Sequence, residues 1–122
     1  MKLPGERVMS FRRSKNEVLE VRRWRAFVNE NRSQFIATGL PEHIYHTQEY
    51  FDDFLMHGYL DHHHCHYNFT VKELTKDQAG ILRDIIAKYL ASGFGDPGLS
   101  VFSHKEQEAI RAEAILRFNG TR

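Results

Sequence analysis

The chain has 122 residues, 41% of them hydrophobic and 27% charged, with nine Phe, five Tyr and one Trp. That composition excludes a disordered polymer and suffices for one domain around a single core, while lone Cys65 excludes an intrachain disulfide framework. The formal net charge of +1 carries no overall bias toward nucleic acid or acidic partners, and no stretch reaches the ~18 apolar residues of a membrane span. The expectation is a cytoplasmic protein, residues 1–122 forming a single domain with 1–13 as a flexible N-terminal arm.

Charge is unevenly spread. Residues 1–40 hold nine Lys/Arg against four Asp/Glu, a local balance of +5. Residues 41–71 hold no Lys or Arg, five carboxylates and seven of the eight histidines. The two stretches either neutralise each other by packing together or present surfaces of opposite sign.

Ser14 followed by Glu17 is a capping box, and a helix is predicted from there to Gly39-Leu40-Pro41. At helical spacing Val21, Trp24, Val28 and Phe35 form one stripe with Phe27 at its edge; Trp24 is the expected core anchor. A short helical turn begins at Pro41. A second helix restarts at Thr47, carries Tyr50, Phe51, Phe54 and Leu55 at helical intervals, and ends at Gly58.

Next comes Asp61-His62-His63-His64-Cys65-His66, the densest run of ligand-type side chains in the chain. Tyr67, Phe69 and Val71 alternate with polar residues, a strand pattern. Extended backwards, that alternation places His62, His64 and His66 on one face, with Asp61 able to complete a divalent-metal site for a zinc-like ion. If the second helix instead ran through the cluster, His62 and His66 would stand one turn apart and need ligands from elsewhere. Solvated histidines and a pH-responsive surface are the other readings of the same residues.

Thr75 with Gln78 is a further capping box, and Ile81, Leu82, Ile85, Ile86, Tyr89 and Leu90 repeat at helical intervals up to Ser92-Gly93. Residues 93–98 hold three glycines and a proline and read as a loop. Leu99 to Phe102 reads as an extended segment that pairs with 67–71. The last helix opens at Ser103 with Glu106, carries Ile110, Ala114 and Phe118 on one side, and closes near Asn119-Gly120.

The expected fold is mainly α: about four helices around a single core, with a short two-stranded β ribbon as an optional addition and a mixed α+β sheet as the alternative. No phosphate loop, nucleophile elbow or His-Glu-x-x-His motif is present, so the reading leans away from an enzyme. The leading functional expectation is a small non-catalytic binding or adaptor domain acting through a protein partner or as a homo-oligomer. Metal binding by the histidine cluster is one alternative. Nucleic-acid or acidic-partner binding through Arg22, Arg23 and Arg25 is another, since arginine pairs well with phosphate and carboxylate.

Overall fold

The computed structural model describes residues 15–57, 60–62, 65–67 and 71–120. In chain order they form α1 (Lys15–Glu30), α2 (Arg32–Ala37), a 3₁₀ turn (Glu42–Tyr45), α3 (Gln48–His57), β1 (Leu60–His62), β2 (Cys65–Tyr67), a second 3₁₀ turn (Val71–Glu73), α4 (Lys76–Ala91) and α5 (His104–Gly120). The mainly α expectation holds. Both the expected arm at 1–13 and the Ser14 cap lie outside the described residues.

The long helix predicted for 14–38 is two helices. Asn31 divides them, with φ −112° and ψ 20°, outside helical geometry. Its side-chain amide donates to the Phe27 carbonyl at 2.8 Å, a local side-chain bond that competes with the helical ladder and is typical of Asn. Its backbone N–H still reaches the Phe27 carbonyl at 3.1 Å and its carbonyl still accepts from Phe35. The helical direction therefore survives the break, and Phe35 stays on the buried side with Trp24, Phe27 and Val28. At the end of α2 the buried Thr38 hydroxyl accepts from the Leu40 N–H at 3.2 Å, and Gly39 supplies the left-handed turn with φ 78°.

The single hydrophobic cluster draws on all five helices: Trp24 and Val28 from α1, Phe35 from α2, Phe51, Phe54 and Leu55 from α3, Leu82, Ile85, Ile86 and Tyr89 from α4, and Ile110 from α5. Aromatic rings dominate one half of it. Trp24 lies 5.5 Å from Phe27, 5.4 Å from Phe51, and edge-on to Tyr89 and Phe94 at 5.9 and 5.7 Å, within the range of favourable ring pairs. Its indole N–H donates to the Tyr45 carbonyl at 3.0 Å, so the polar atom of the most central ring is satisfied.

The capping box at Thr75 and Gln78 is formed in full. Ser103 and Glu106 likewise exchange bonds, Glu106 N–H to the Ser103 hydroxyl at 3.2 Å and Ser103 N–H to the Glu106 carboxylate at 3.2 Å. A polar seam also ties α4 to α2 and to Asn31 before it: Lys88 donates to Gln34 at 2.6 Å and Asn31 at 3.0 Å, and Gln34 donates to Asp84 at 2.8 Å. Arg117 of α5 also bonds Asp84. Burial works to raise the Asp84 carboxyl, but the Gln34 and Arg117 hydrogen bonds and the charges of Arg117 and Lys88 outweigh it and hold the group below the ordinary aspartate value.

Two strand expectations need correction. A two-stranded ribbon is present, but β1 pairs antiparallel with β2, its immediate neighbour in the chain, and not with residues 99–102. The latter form a turn, with Leu99 at φ 51° and Phe102 N–H bonded to the Leu99 carbonyl at 3.0 Å. Leu99 is completely buried, so its apolar character reports a plug into the core and not a strand. The strand expected over 67–71 does not include Val71, which opens a 3₁₀ turn; Tyr67 belongs to β2, and 68–70 lie outside the described residues.

Candidate functional site

The alternation in the sequence puts the histidine cluster on one uninterrupted strand; the backbone instead pairs β1 with β2. Asp61 is the cross-strand partner of His66, and His62 that of Cys65. Directly opposed residues of an antiparallel pair share a face while successive residues alternate, so positions 62 and 66 belong to opposite faces of the ribbon. The reason is the short connection: only two residues separate the strands, and local hairpin pairing takes the backbone hydrogen bonds that an extended strand would need from elsewhere. His64, and the side chains of Asp61, His62 and His66, lie outside the described residues, as do His63 and the Cys65 thiol. Among the described residues no group of three or more His, Cys, Asp or Glu side chains is arranged to hold a metal ion.

The three arginines singled out on α1 serve different places. Arg23 donates to the Ser92 carbonyl at 2.9 Å, at the end of α4, and its guanidinium lies 4.5 Å over the Phe94 ring. That is a basic side chain capping a helix C-terminus and stacking on an aromatic face. Arg22 is exposed. Arg25 faces a cleft two and three positions away around the helix, so the trio forms no common stripe.

The cleft at Arg25 is an open recess of the surface. It occupies about 790 Å³ between α1 and α3, lined by Glu20, Val21, Trp24 and Arg25 on one side and by His46, Thr47, Gln48, Glu49, Asp52 and Asp53 on the other. Thr47 caps α3, accepting from the Tyr50 N–H at 3.1 Å, and this fixes the start of the helix that carries Glu49, Asp52 and Asp53. The lining thus brings four carboxylates against one arginine. Trp24 belongs to both the cleft and the core, which sets the cleft floor.

Asp52 is the most constrained of these carboxylates. It accepts a hydrogen bond from the buried Tyr89 hydroxyl, which in turn accepts from the Gln48 amide at 3.1 Å; the same amide donates to the Phe94 carbonyl at 3.1 Å. Burial pushes the Asp52 carboxyl above its ordinary value, the Tyr89 bond opposes that shift, and the negative charges of Asp53 and Glu49 add to it. Tyr89 is raised by burial and then by its bond to Asp52 and the charge there, so its hydroxyl stays a donor. The summed negative charge of Glu20, Glu49, Asp52 and Asp53 makes the cleft favour a cation over an anion.

A second, smaller cleft of about 220 Å³ adjoins the first, lined by Trp24, Arg25, Val28, Asn29, Arg32, Glu42, Tyr45 and His46. Sequence reasoning found neither cleft. The signal that pointed this way was the acidic stretch after residue 41, with Glu49, Asp52 and Asp53 at helical intervals opposite the basic α1. Comparisons with known protein families, with curated proteins and with solved structures find no match to this chain.

Proposed function

We propose that this chain is a non-catalytic binding domain that acts through protein–protein contacts, and that the cleft between α1 and α3 accepts a basic segment of a partner protein. The observation that carries this reading is the imbalance of the lining, four carboxylates to one arginine, with Asp52 held partly desolvated. A lysine or arginine brought against Glu49 and Asp52 restores the solvation that burial has removed. The Tyr89 hydroxyl and Gln48 amide are engaged in holding α3, α4 and the loop at Phe94 together, which suits a rigid recognition surface.

The test is fluorescence anisotropy with a labelled lysine-containing peptide at low and high salt. Saturable binding is expected, weakening as salt screens the carboxylates, and falling about fivefold or more in a Glu20→Gln/Glu49→Gln/Asp52→Asn variant. No saturation at low salt, or equal binding by the variant, overturns the reading.

Self-association is the second reading, favoured by α5. Ile115 and Leu116 are 60% and 67% exposed on the side of the helix away from buried Ile110 and Ala114, beside exposed Ala109 and Ala112. Light scattering across a concentration series checks it: Leu116→Asp should abolish any salt-insensitive dimer.

A further inference from the structure

Lysine and arginine bring the same unit charge to the acidic cleft, so hydrogen-bond geometry at the carboxylates is what tells them apart. Arginine gains over lysine by laying two parallel N–H groups along both oxygens of one carboxylate, whereas an ammonium binds as a point charge and needs one oxygen. Of the lining carboxylates, Glu20 and Glu49 are exposed, and a cation bound there must hold a long side chain still. Asp52 differs. It is half-buried on a short side chain, and its Oδ1 accepts a hydrogen bond from the Tyr89 hydroxyl. That hydroxyl is itself held in place: the Gln48 amide donates to it at 3.1 Å, and the buried ring packs against Trp24, Phe51 and Phe94. Among the described residues no other hydrogen bond reaches Asp52, so Oδ2 is left for a ligand.

Resting on the basic-segment reading above, we propose that Tyr89 makes the cleft selective for lysine over arginine, by occupying the Asp52 oxygen that a guanidinium fork requires. The ammonium of a lysine takes Oδ2 and leaves the Tyr89 bond intact. A guanidinium either binds Oδ2 alone and gives up its second bond, or shares Oδ1 with the hydroxyl and weakens the bond that anchors Asp52. Tyr89 acts through Asp52 and is a positioning residue.

Three labelled alanine-based peptides, alike except for a single Lys, Arg or asymmetrically dimethylated Arg, test this by anisotropy. The Lys peptide should bind wild type about two- to fivefold tighter than the Arg peptide, the range for one solvent-accessible charged contact. Methylation keeps the charge and blocks the fork, so on wild type it should leave the Arg affinity within about twofold. In Tyr89→Phe, assayed below its melting transition, both Asp52 oxygens are open; the Arg peptide should equal or overtake the Lys peptide, and methylation should now weaken it about two- to fivefold. A purely structural role for Tyr89 would instead weaken all three peptides alike. That outcome overturns the selectivity proposal, as does Arg binding wild type as tightly as Lys, methylation weakening Arg on wild type, or a Lys preference that survives in Tyr89→Phe; the basic-segment reading stands in each case. If no peptide binds, both fall.

Discussion

Removing one oxygen, in Tyr89→Phe, tests the polar network beneath the cleft more directly than any charge change. The ring is completely buried and keeps its neighbours in the variant: Trp24 at 5.9 Å, Phe51 at 5.6 Å and Phe94 at 5.2 Å. What disappears is the hydroxyl that donates to Asp52 and accepts from Gln48. A hydrogen bond to a charged acceptor is worth about 1.5–3 kcal/mol, and the partly solvated setting of Asp52 argues for the lower part of that range, about 2 kcal/mol. For a chain of this size the melting temperature should fall by roughly 6–10 °C. The pH dependence carries the diagnosis. Tyr89 stabilises the ionised form of Asp52, opposing the upward push of burial. Because the folded value of Asp52 lies above the unfolded one, the ionised group costs stability as pH rises through the folded value, and Tyr89 reduces that cost. The difference between wild type and Tyr89→Phe should therefore be largest at pH 7 and shrink toward about 1 kcal/mol, a neutral bond, as pH falls below the Asp52 value. Urea unfolding of both proteins at pH 7 and pH 3 gives the comparison. An equal difference at both pH values would refute the charge-assisted bond, and a loss under 0.5 kcal/mol at pH 7 would refute the network itself.

Other expectations are simpler. Trp24→Ala should cost about 3–5 kcal/mol in chemical denaturation, since it empties the centre of the aromatic half of the core and leaves the Tyr45 carbonyl without its donor. Asp84 is depressed in the fold, so its contribution is present above the ordinary aspartate value and is lost as pH falls through the folded value; Arg117→Met should flatten the stability–pH curve in that acid window, read from melting temperatures between pH 2 and pH 6. Gly39→Ala should destabilise by about 1–2 kcal/mol in a thermal melt, because φ 78° strains an L residue and the added Cβ would lie 2.7 Å from the Gln78 amide nitrogen.

Helix starts and faces were legible because they depend on residues close in sequence. Thr75 with Gln78 and Ser103 with Glu106 were read directly as caps, and the stripe of Val21, Trp24, Val28 and Phe35 pointed to the core. The break at Asn31 was hidden, since one Asn in a helical pattern leaves the periodicity unchanged and its effect rests on a side-chain bond to Phe27. Phe118 shares one side of the last helix with Ile110 and Ala114, a spacing that leaves packing or exposure open, and it is 48% exposed because the spacing drifts off the contact line with α4 by the end of α5. Leu99 to Phe102 misled for a tertiary reason: burial of Leu99 under the bundle produces the same apolar signature as a strand. The cleft was beyond reach for the same kind of reason. Its charge is built by Glu20 of α1 meeting Glu49, Asp52 and Asp53 of α3, and Asp52 is held by the hydroxyl of Tyr89, 37 positions further along.

The position of the one tryptophan gives the domain its own optical probe. The indole of Trp24 is 3% exposed and sits among aromatic rings, so its emission should move to the red as water reaches it on unfolding. A single label-free titration with denaturant thus reports the loss of this one aromatic centre.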